Sequence, residues 1–580
     1  MQSNGLLRWD LTPLYISFSD QHYLSDRERL QRGLADLERL LENYRVGGDE
    51  PVYTAEAFFA VADALNAVRA TALPLKAFAF LRQATDAGDR EAAAAISELE
   101  GEMLALERLT PRIVRWWGSF EIGDWAGDYA LLLREARVRN KHLMSDAEET
   151  LAAELSLSGA RAWTRHYGNV SSRISVRFEG GDLPITALRN LAYDPDGARR
   201  KAAYEAELAA WETRRDELAA SLNGVKGSRI VINRRRGWED SLAPTLLANR
   251  ISRATLYAMQ KAVEGSLPVW RRYFLAKARS LGKERLDWWD LFAPIARERR
   301  EWGWEEARSF IVKNLREFSP AAADLADRAF RERWIDAEPR KGKRGGAFCM
   351  HIGDGVSRVL ANFTPSFDAV STLAHELGHA YHNFRLSSRP PLLRETPMTL
   401  AETASIMNET VITRAALAET EGEDALAILD SWLAGAAQAV VDIHSRFLFE
   451  SQVFERRSAR ELSPEEFSEA MLEAQKLAYG DALASYHRYM WAVKPHYYGR
   501  DYYNYPYTFG LLFGLGLYRA YRESPLDFQE EYDRLLADTG VAGALELAAR
   551  FGFNLEEEDF WADSLALLAE DVGRFERAIG

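Results

Sequence analysis

Apolar residues recur at intervals of three and four through much of the first 160 positions. The clearest stripe consists of Leu30, Leu34, Leu37, Leu41 and Tyr44. Similar stripes run through about 54–82, 89–109 and 126–157. A period close to 3.6 residues is typical of helices that bury one face. We therefore predict an N-terminal helical domain over residues 1–180.

The pattern changes near residue 170. Residues 173–178 alternate between polar and apolar side chains, and Gly180, Gly181 and Asp182 follow them. This combination predicts a short hairpin or a domain boundary. Helical periodicity then returns in a long helix and at about 252–281 and 304–329. The long helix carries Tyr204, Leu208, Trp211, Leu218 and Leu222 on one face. A second, mainly α domain over 181–580 follows from these patterns.

A second hairpin is predicted at 347–363. Two short apolar segments, 347–352 and 356–363, flank Gly353, Asp354 and Gly355. Asp-Gly between such segments is a hairpin signal. The hairpin can offer an open edge for an extended peptide, and we place this edge at residues 356–362.

Composition narrows the possible functions. The formal net charge of −14 argues against nucleic acid as a partner, and the run Arg234-Arg235-Arg236 is read as a solvated loop or as an intramolecular ion-pair partner. The single cysteine, Cys349, excludes an intrachain disulfide and is predicted to be a buried strand thiol. The opening residues lack the basic and apolar regions of a signal peptide, and no apolar run approaches a membrane span. We therefore expect a cytoplasmic protein.

One motif points to metal chemistry. The stretch 375–379 reads His-Glu-Leu-Gly-His, so His375 and His379 lie one helical turn apart and can share an ion. Glu376 lies to the side, where its carboxylate can take a proton from a metal-activated water. Thr364-Pro365 is the predicted helix start.

The third metal ligand is sought downstream. His382 lies about 10 Å along the helix axis from His375, which is too far for one ion, so it is read as a packing or supporting residue. Thr396-Pro397 predicts a new helix start, with Glu402 early on that helix and Glu409 two turns later on the same face. Geometry favours Glu402 over Glu409 and over Glu395, which precedes the helix.

A second candidate segment is rich in aromatic residues. Six tyrosines and His496 lie between residues 496 and 507. Because each buried hydroxyl needs a hydrogen-bond partner, a purely structural cluster of this size is hard to satisfy. Near a metal site, phenols and an imidazole can stabilise the oxyanion of a tetrahedral intermediate.

These motifs together resemble the thimet-oligopeptidase family of zinc metallopeptidases, in its oligoendopeptidase F branch. The resemblance rests on the 375–379 motif, the segment 401–409 and the His496 segment. Trp9-Asp10-Leu-Thr-Pro13, Gly345-Gly-Ala-Phe-Cys349 and Asn362-Phe363 extend it over nearly the whole chain. It implies a helical ellipsoid with a deep substrate channel, in which residues 181–580 form the zinc metallopeptidase catalytic domain. A small β-sheet is expected beside the zinc helix.

The resemblance also implies roles for individual residues. One zinc ion would be bound by His375, His379 and Glu402, with Glu376 as the general base. The remaining roles concern substrate and oxyanion binding, which the resemblance assigns to His496 and Tyr505, with Tyr498 as a third member. Since the spacing of this segment varies within the family, Tyr502 or Tyr503 can hold the role given to Tyr498.

The predicted function is zinc-dependent hydrolysis of interior peptide bonds in short oligopeptides. The alternatives are a zinc exopeptidase and a peptide-binding protein that has lost catalysis. A structural zinc is disfavoured because such sites usually have four protein ligands. The sequence does not determine side-chain preference, the length limit of substrates or the oligomeric state.

Overall fold

The structure is a computed structural model that describes residues 5–296 and 300–580. Helices account for 71% of the chain, and the described residues contain five short strands. The predicted mainly α fold is therefore confirmed. The backbone forms two compact units that are interleaved along the sequence, and each is described by itself.

The first unit contains the described residues of 1–143, 300–415 and 517–552. Its α-helices are Gln21–Asn43, Ala55–Thr85, Arg90–Trp117, Ala130–Lys141, Trp304–Phe318, Pro320–Arg331, Phe367–Leu386, Met398–Ala401, Pro525–Asp538 and Ala544–Ala549. Two further helices belong partly to each unit, namely Thr403–Glu419 and Tyr505–Glu523.

The second unit contains the described residues of 144–299, 416–516 and 553–580. Its α-helices are Asp146–Ser158, Ala160–Ser171, Ile185–Arg189, Gly197–Glu212, Arg215–Arg235, Ala243–Ala248, Arg253–Ser280, Gly422–Ala437, Ile443–Ala459, Pro464–Tyr479, Met490–Val493, His496–Gly499 and Glu558–Ile579. Strands β1 (Ser175–Phe178) and β2 (Gly181–Pro184) pair antiparallel, which confirms the hairpin reading of this segment.

The sheet of the first unit has three strands in the order β3, β5, β4. These are β3 (Ile335–Asp336), β4 (Phe348–Gly353) and β5 (Val356–Leu360). The predicted hairpin is confirmed, because β4 and β5 pair antiparallel around Asp354, whose φ is 48°. The predicted edge is wrong. β5 also pairs in parallel with β3, so it is the central strand and β4 borders the sheet.

This sheet lies beside the helix that carries the His-Glu motif. Asn383, on the last turn of Phe367–Leu386, donates a hydrogen bond from Nδ2 to Ser357 Oγ of β5 at 3.2 Å. The N-terminal arm contacts the sheet, since the Arg358 guanidinium of β5 donates a hydrogen bond to the carbonyl of Asp10 at 2.9 Å. The expected small β-sheet beside the motif helix is therefore present.

Two helical stretches are long and apolar enough to cross a membrane, by length and composition alone. They are Ala55–Thr85 and Gly422–Ala459. Phe58, Leu65 and Phe78 of the first stretch are buried in clusters of the first unit, and Phe449 and Val453 of the second are buried in a cluster of the second unit. Both stretches therefore serve as core helices in this fold.

Two predicted helices are each divided in the structure. The helix expected at about 304–329 ends at Phe318 and restarts at Pro320, because proline has no N–H to continue the ladder and Ser319 caps the new helix. The helix expected to carry Tyr204 through Leu222 ends at Glu212 and restarts at Arg215.

The arginine run 234–236 lies at the end of the helix Arg215–Arg235 and forms ion pairs within the protein. Arg236 binds Glu149 through two hydrogen bonds of 2.7 and 3.0 Å, and Arg235 lies 3.4 Å from Glu148. The ion-pair reading of this run is therefore confirmed. The division of the chain at residue 180 stays a prediction, because compact spatial units do not report which segments fold separately.

Candidate metal centre

The motif helix begins two residues later than predicted. It spans Phe367–Leu386, and its N-cap is Ser366, whose side chain accepts a hydrogen bond from the Ala369 N–H. The predicted cap, Thr364-Pro365, instead lies in the preceding loop, where the Pro365 carbonyl accepts from the Trp302 N–H. This correction leaves the relative positions of the two histidines unchanged, since they depend only on the helical period.

The structure brings His375, His379 and Glu402 together. The Nε2 atoms of both histidines lie 3.3 Å from the same oxygen, Oε2 of Glu402. The ligand atoms of the three residues all lie within 4.8 Å of one another. Two imidazole nitrogens and one carboxylate oxygen are the donor set of catalytic zinc sites, which keep a further position open for water or substrate. The residues present therefore fit a divalent ion.

The other two glutamates considered from the sequence have different surroundings. Glu409 Oε2 accepts a hydrogen bond from His375 Nδ1 at 2.9 Å, on the far side of the ring from Glu402. A carboxylate in this position fixes the orientation and the tautomer of a ligand histidine. Glu395 is 75% exposed and lies 3.9 Å from Arg69.

The distance between the two helices of the site depends on Gly378. A Cβ atom at this position would lie 2.4 Å from the carbonyl oxygen of Ala404 and 2.6 Å from the Cα of Ser405. Only glycine therefore lets the motif helix approach the backbone that follows Glu402. Asn408 adds a hydrogen bond of 3.4 Å to the Ala374 carbonyl across the same contact.

We expect the substitution Gly378→Ala to weaken metal binding by about 10-fold or more, because the added methyl group must push the Glu402 backbone away. Metal affinity from competition with a chelator and the Tm from calorimetry would both fall. Gly101→Ala is the matched control, since this helical glycine has no atom within 4 Å of its added Cβ. Equal metal affinity in Gly378→Ala and wild type would contradict the packing argument.

Glu376 is buried next to the three candidate metal ligands. Its side chain is 7% exposed, and its Oε2 atom has no hydrogen-bond partner among the described residues. Burial raises the pKa of Glu376, although the neighbouring His379 and His375 act in the opposite direction. A carboxylate whose proton affinity is raised is suited to accepting a proton during a reaction.

The ionisation of Glu402 depends on the two histidines beside it. Burial alone would raise the pKa of Glu402, yet hydrogen bonds with His375 and His379 lower it far below its usual range. The carboxylate therefore stays ionised, which is the form in which a carboxylate can bind a metal ion.

His382 and Cys349 also line this pocket. His382 is 4% exposed, and its Nε2 lies 2.9 Å from Thr539 Oγ1, as the packing interpretation predicts. Burial lowers the pKa of His382 to about 4. Cys349 lies on β4 as predicted but is only half-buried, and burial raises the pKa of its thiol, which disfavours the thiolate. The pocket has a volume of about 430 Å³.

In the second unit, His496 forms a cluster with Tyr503 and Tyr507. The His496 and Tyr503 rings stack at 5.1 Å between centroids, and Tyr507 lies 5.9 Å from Tyr503. All three side chains are partly exposed. Burial, followed by the positive charges of Arg446 and Lys494, lowers the pKa of His496 to about 4. At neutral pH its imidazole is thus neutral, with one N–H to donate.

The tyrosines assigned from the resemblance are deeply buried. Tyr505 is 0% exposed; its hydroxyl donates to the Thr245 carbonyl at 3.2 Å and accepts from Asn249 Nδ2 at 3.0 Å. Tyr498 is also 0% exposed and stacks on Tyr167 at 3.7 Å. Tyr502 is 7% exposed and stacks on Phe454. The structure therefore groups Tyr503 and Tyr507 with His496, and it does not group Tyr498 or Tyr505 there.

A buried ionic network holds the loop before Tyr503. Lys226 is 1% exposed and lies 2.6 Å from Glu450 and 3.0 Å from Asp501. Glu450 also accepts a hydrogen bond from the backbone N–H of Tyr502, whose φ is 49°. This network fixes the backbone that presents Tyr503. The sequence alone assigns no role to Tyr507, because Tyr503 precedes the helix Tyr505–Glu523 and no helical spacing links the two residues.

The chain matches two family profiles. The profile described as "Peptidase family M3" matches residues 190–567, and the profile described as "Oligopeptidase F" matches residues 123–175. An "Oligoendopeptidase F homolog" of Lactococcus lactis is 24% identical over 612 residues, which cover 99% of this chain and 97% of the relative.

Solved structures share the fold. The crystal structure of a protein from Chlamydophila abortus aligns with a TM-score of 0.83 and 19% identity, over 98% of each chain. Oligoendopeptidase F from Enterococcus faecium aligns with a TM-score of 0.69 and 18% identity, over 96% of this chain and 99% of that one. At these identities the structural matches support the fold alone.

Proposed function

This chain belongs to peptidase family M3 and is a metallo-oligoendopeptidase, and we propose that its metal is one zinc ion bound by His375, His379 and Glu402. The observation that carries the assignment is the convergence of these three side chains around a single carboxylate oxygen, with Glu376 in the same pocket. When bound there, the ion would supply Lewis acidity, which polarises the scissile carbonyl and lowers the pKa of water.

Glu376 is the proposed general base. Its carboxylate takes a proton from the attacking water, whose oxygen forms a bond to the carbonyl carbon of the peptide. Glu376 then delivers that proton to the departing amine as the C–N bond breaks, and a new carboxylate and a new amine result. The buried position of Glu376, with one carboxylate oxygen free of protein hydrogen bonds among the described residues, supports this role.

His496, Tyr503 and Tyr507 are the proposed donors to the oxyanion. Their partial exposure and mutual stacking support this assignment, since a donor must reach substrate. The resemblance assigns Tyr505 and Tyr498, with Tyr502 or Tyr503 as alternatives to Tyr498. Because the Tyr505 hydroxyl is engaged by Thr245 and Asn249, we propose that Tyr505 is a structural residue.

We expect Tyr503→Phe to lower kcat by about 100-fold with a smaller change in KM, because one donor to the oxyanion is lost. Tyr505→Phe removes a hydroxyl of the same type from a buried hydrogen-bond set, so we expect it chiefly to lower the free energy of unfolding, by about 1 kcal/mol. Steady-state kinetics and thermal unfolding of both variants separate the two roles. A larger loss of kcat in Tyr505→Phe would restore the assignment made from the resemblance.

The substrate is proposed to pair with the edge of β4. Among the described residues, β4 pairs with β5 alone, and its Phe348 and Cys349 border the metal pocket. An extended peptide can bind such an edge through backbone hydrogen bonds, while its side chains set the specificity. A deep channel that admits only short peptides, as the family resemblance implies, is part of the same proposal.

The proposed activity is tested with a mixture of peptides of 5 to 30 residues and mass spectrometry of the products. Cuts at interior bonds of the shorter peptides, abolished by a chelator and restored best by zinc, are the expected result. Ladders of single terminal residues would point to an exopeptidase. No cleavage by zinc-loaded protein would favour a peptide-binding protein. A cytoplasmic location stays a prediction, which cell fractionation would test.

A further inference from the structure

A cavity of about 300 Å³ lies within the second unit. None of the residues to which catalysis or metal binding is assigned above lines it. Its polar wall includes Lys494, Arg189, Gln438 and Asp442, and its apolar wall is largely aromatic. This volume is at the lower end of the range for small-molecule sites, and it suits a group about as large as one amino-acid residue.

Arg189, Asp442 and Lys494 are the charged side chains that line the cavity, and Lys494 differs from the other two in having no partner of opposite charge among the described residues. Asp442 is bound by Arg446, and Arg189 lies 2.9 Å from Glu207, so these four charges form two pairs. Within residues 5–296 and 300–580, the Lys494 ammonium has neither an ion pair nor a hydrogen bond. Burial, followed by the positive charge of Arg446, lowers the pKa of Lys494 to about 7. The Lys494 side chain is partly buried at the cavity wall, so its ammonium gives up part of its hydration without a protein partner, and a bound anion would compensate for that loss.

The backbone beside Lys494 is unusual. Residues Gln438–Asp442 form a single π-helical turn between two α-helices, and both ends of this turn line the cavity. Such turns are rare and are found frequently at functional sites. The turn thus presents the Gln438 amide and the paired Asp442 to the same space as Lys494.

The apolar wall defines the rest of the ligand. Phe274, Trp288 and Met490 line the cavity, and aromatic rings with a flexible thioether accommodate a flat or bulky apolar group. We propose that the cavity binds a carboxylate that carries a large apolar or aromatic group, with the carboxylate against Lys494 and the apolar group against Phe274, Trp288 and Met490. The C-terminal residue of a peptide has this chemistry. It can come from the substrate itself or from a separate product, and only that choice of source rests on the proposed peptidase function.

Direct binding tests the proposal without any need for turnover. Calorimetric titration of the full-length protein with N-acetyl-L-phenylalanine is compared with N-acetyl-L-phenylalaninamide, which has the same ring but no charge. We expect the acid to bind at least 10-fold more tightly than the amide, and Lys494→Met to abolish this preference. Lys476→Met is the matched control, since this exposed lysine lies outside the cavity and the preference should persist in it.

Three results would overturn the proposal: no binding of the acid, equal binding of acid and amide by the wild type, or an unchanged preference in Lys494→Met. Because methionine replaces a partly buried ammonium that has no protein partner with an apolar chain of similar length, the Tm of this variant should equal or exceed that of the wild type. If the variant fails to fold, the wild-type comparison of acid with amide decides the matter alone.

A kinetic comparison then identifies the source of the carboxylate. Two substrates that differ only in ending with phenylalanine or its amide are hydrolysed by the wild type and by Lys494→Met. A lower KM for the acid in the wild type alone indicates the substrate's own C-terminus. Equal KM values, with calorimetric binding of the acid intact, indicate a separate ligand. A protein that binds the acid but cleaves no peptide would refute the peptidase mechanism and leave the cavity assignment standing.

Discussion

Replacing Glu376 by glutamine is expected to lower kcat by about 10³- to 10⁴-fold while the metal content stays at one ion per chain. Glutamine has the same shape as glutamate but cannot accept a proton from water at neutral pH. The side chain is 7% exposed, so an isosteric change introduces neither a cavity nor an overlap. A fluorogenic peptide gives kcat, and plasma mass spectrometry gives the metal content of the same sample.

Glu395→Gln is the matched control for this experiment. Glu395 is 75% exposed and belongs to a weak surface pair with Arg69, so its neutralisation should change kcat by no more than about two-fold. If Glu376→Gln with a full complement of metal retained kcat within 10-fold of the wild type, Glu376 could not be the general base.

Removal of the proposed third ligand is expected to have a different signature. Glu402→Ala should lose both its metal and its activity during gel filtration, because two histidines alone leave the ion with too few protein ligands. Excess zinc should restore only part of the activity. Metal affinity measured by competition with a chelator of known strength, together with kcat at saturating zinc, separates loss of the ion from loss of chemistry.

The other two glutamates form a graded series with Glu402. Glu409→Ala should weaken metal binding by about 10- to 100-fold, since it removes the partner of His375 Nδ1 but no ligand. Glu395→Ala should bind metal as the wild type does. If Glu409→Ala lost more affinity than Glu402→Ala, the roles of the two glutamates would have to be exchanged.

This series tests whether Glu402 or Glu409 is the third ligand, a choice for which the sequence alone offers only a geometric preference. Glu402 and Glu409 are seven residues apart and were both predicted on one helix face. In the structure, the chain bends at Glu402, which lies between Met398–Ala401 and Thr403–Glu419 with φ −87° and ψ 3°. The bend lets Glu402 reach both Nε2 atoms, whereas Glu409 meets the opposite edge of the His375 ring.

The aromatic segment 496–507 shows more clearly that the sequence alone does not decide which side chains are buried. The sequence indicated that residues 496–507 carry more hydroxyls than a core can satisfy, and it left the choice among the tyrosines open. Burial differs sharply between neighbours, because Tyr503 and Tyr507 are partly exposed whereas Tyr498 and Tyr505 are fully buried. Which side of a helix is buried depends on the elements that pack against it, such as Asn249 and Thr245 at Tyr505, and these lie about 250 residues away in sequence.

The sequence by itself determined the features that depend on local geometry: the mainly helical fold, the hairpin at 347–363 and the pairing of His375 with His379 one turn apart. These follow from periodicity and turn chemistry, which act over a few residues. Only the tertiary structure decided which strand is the sheet edge, how closely the two site helices approach at Gly378, and which tyrosines remain accessible. Each of these depends on contacts between distant segments, where packing and burial override any signal within one segment.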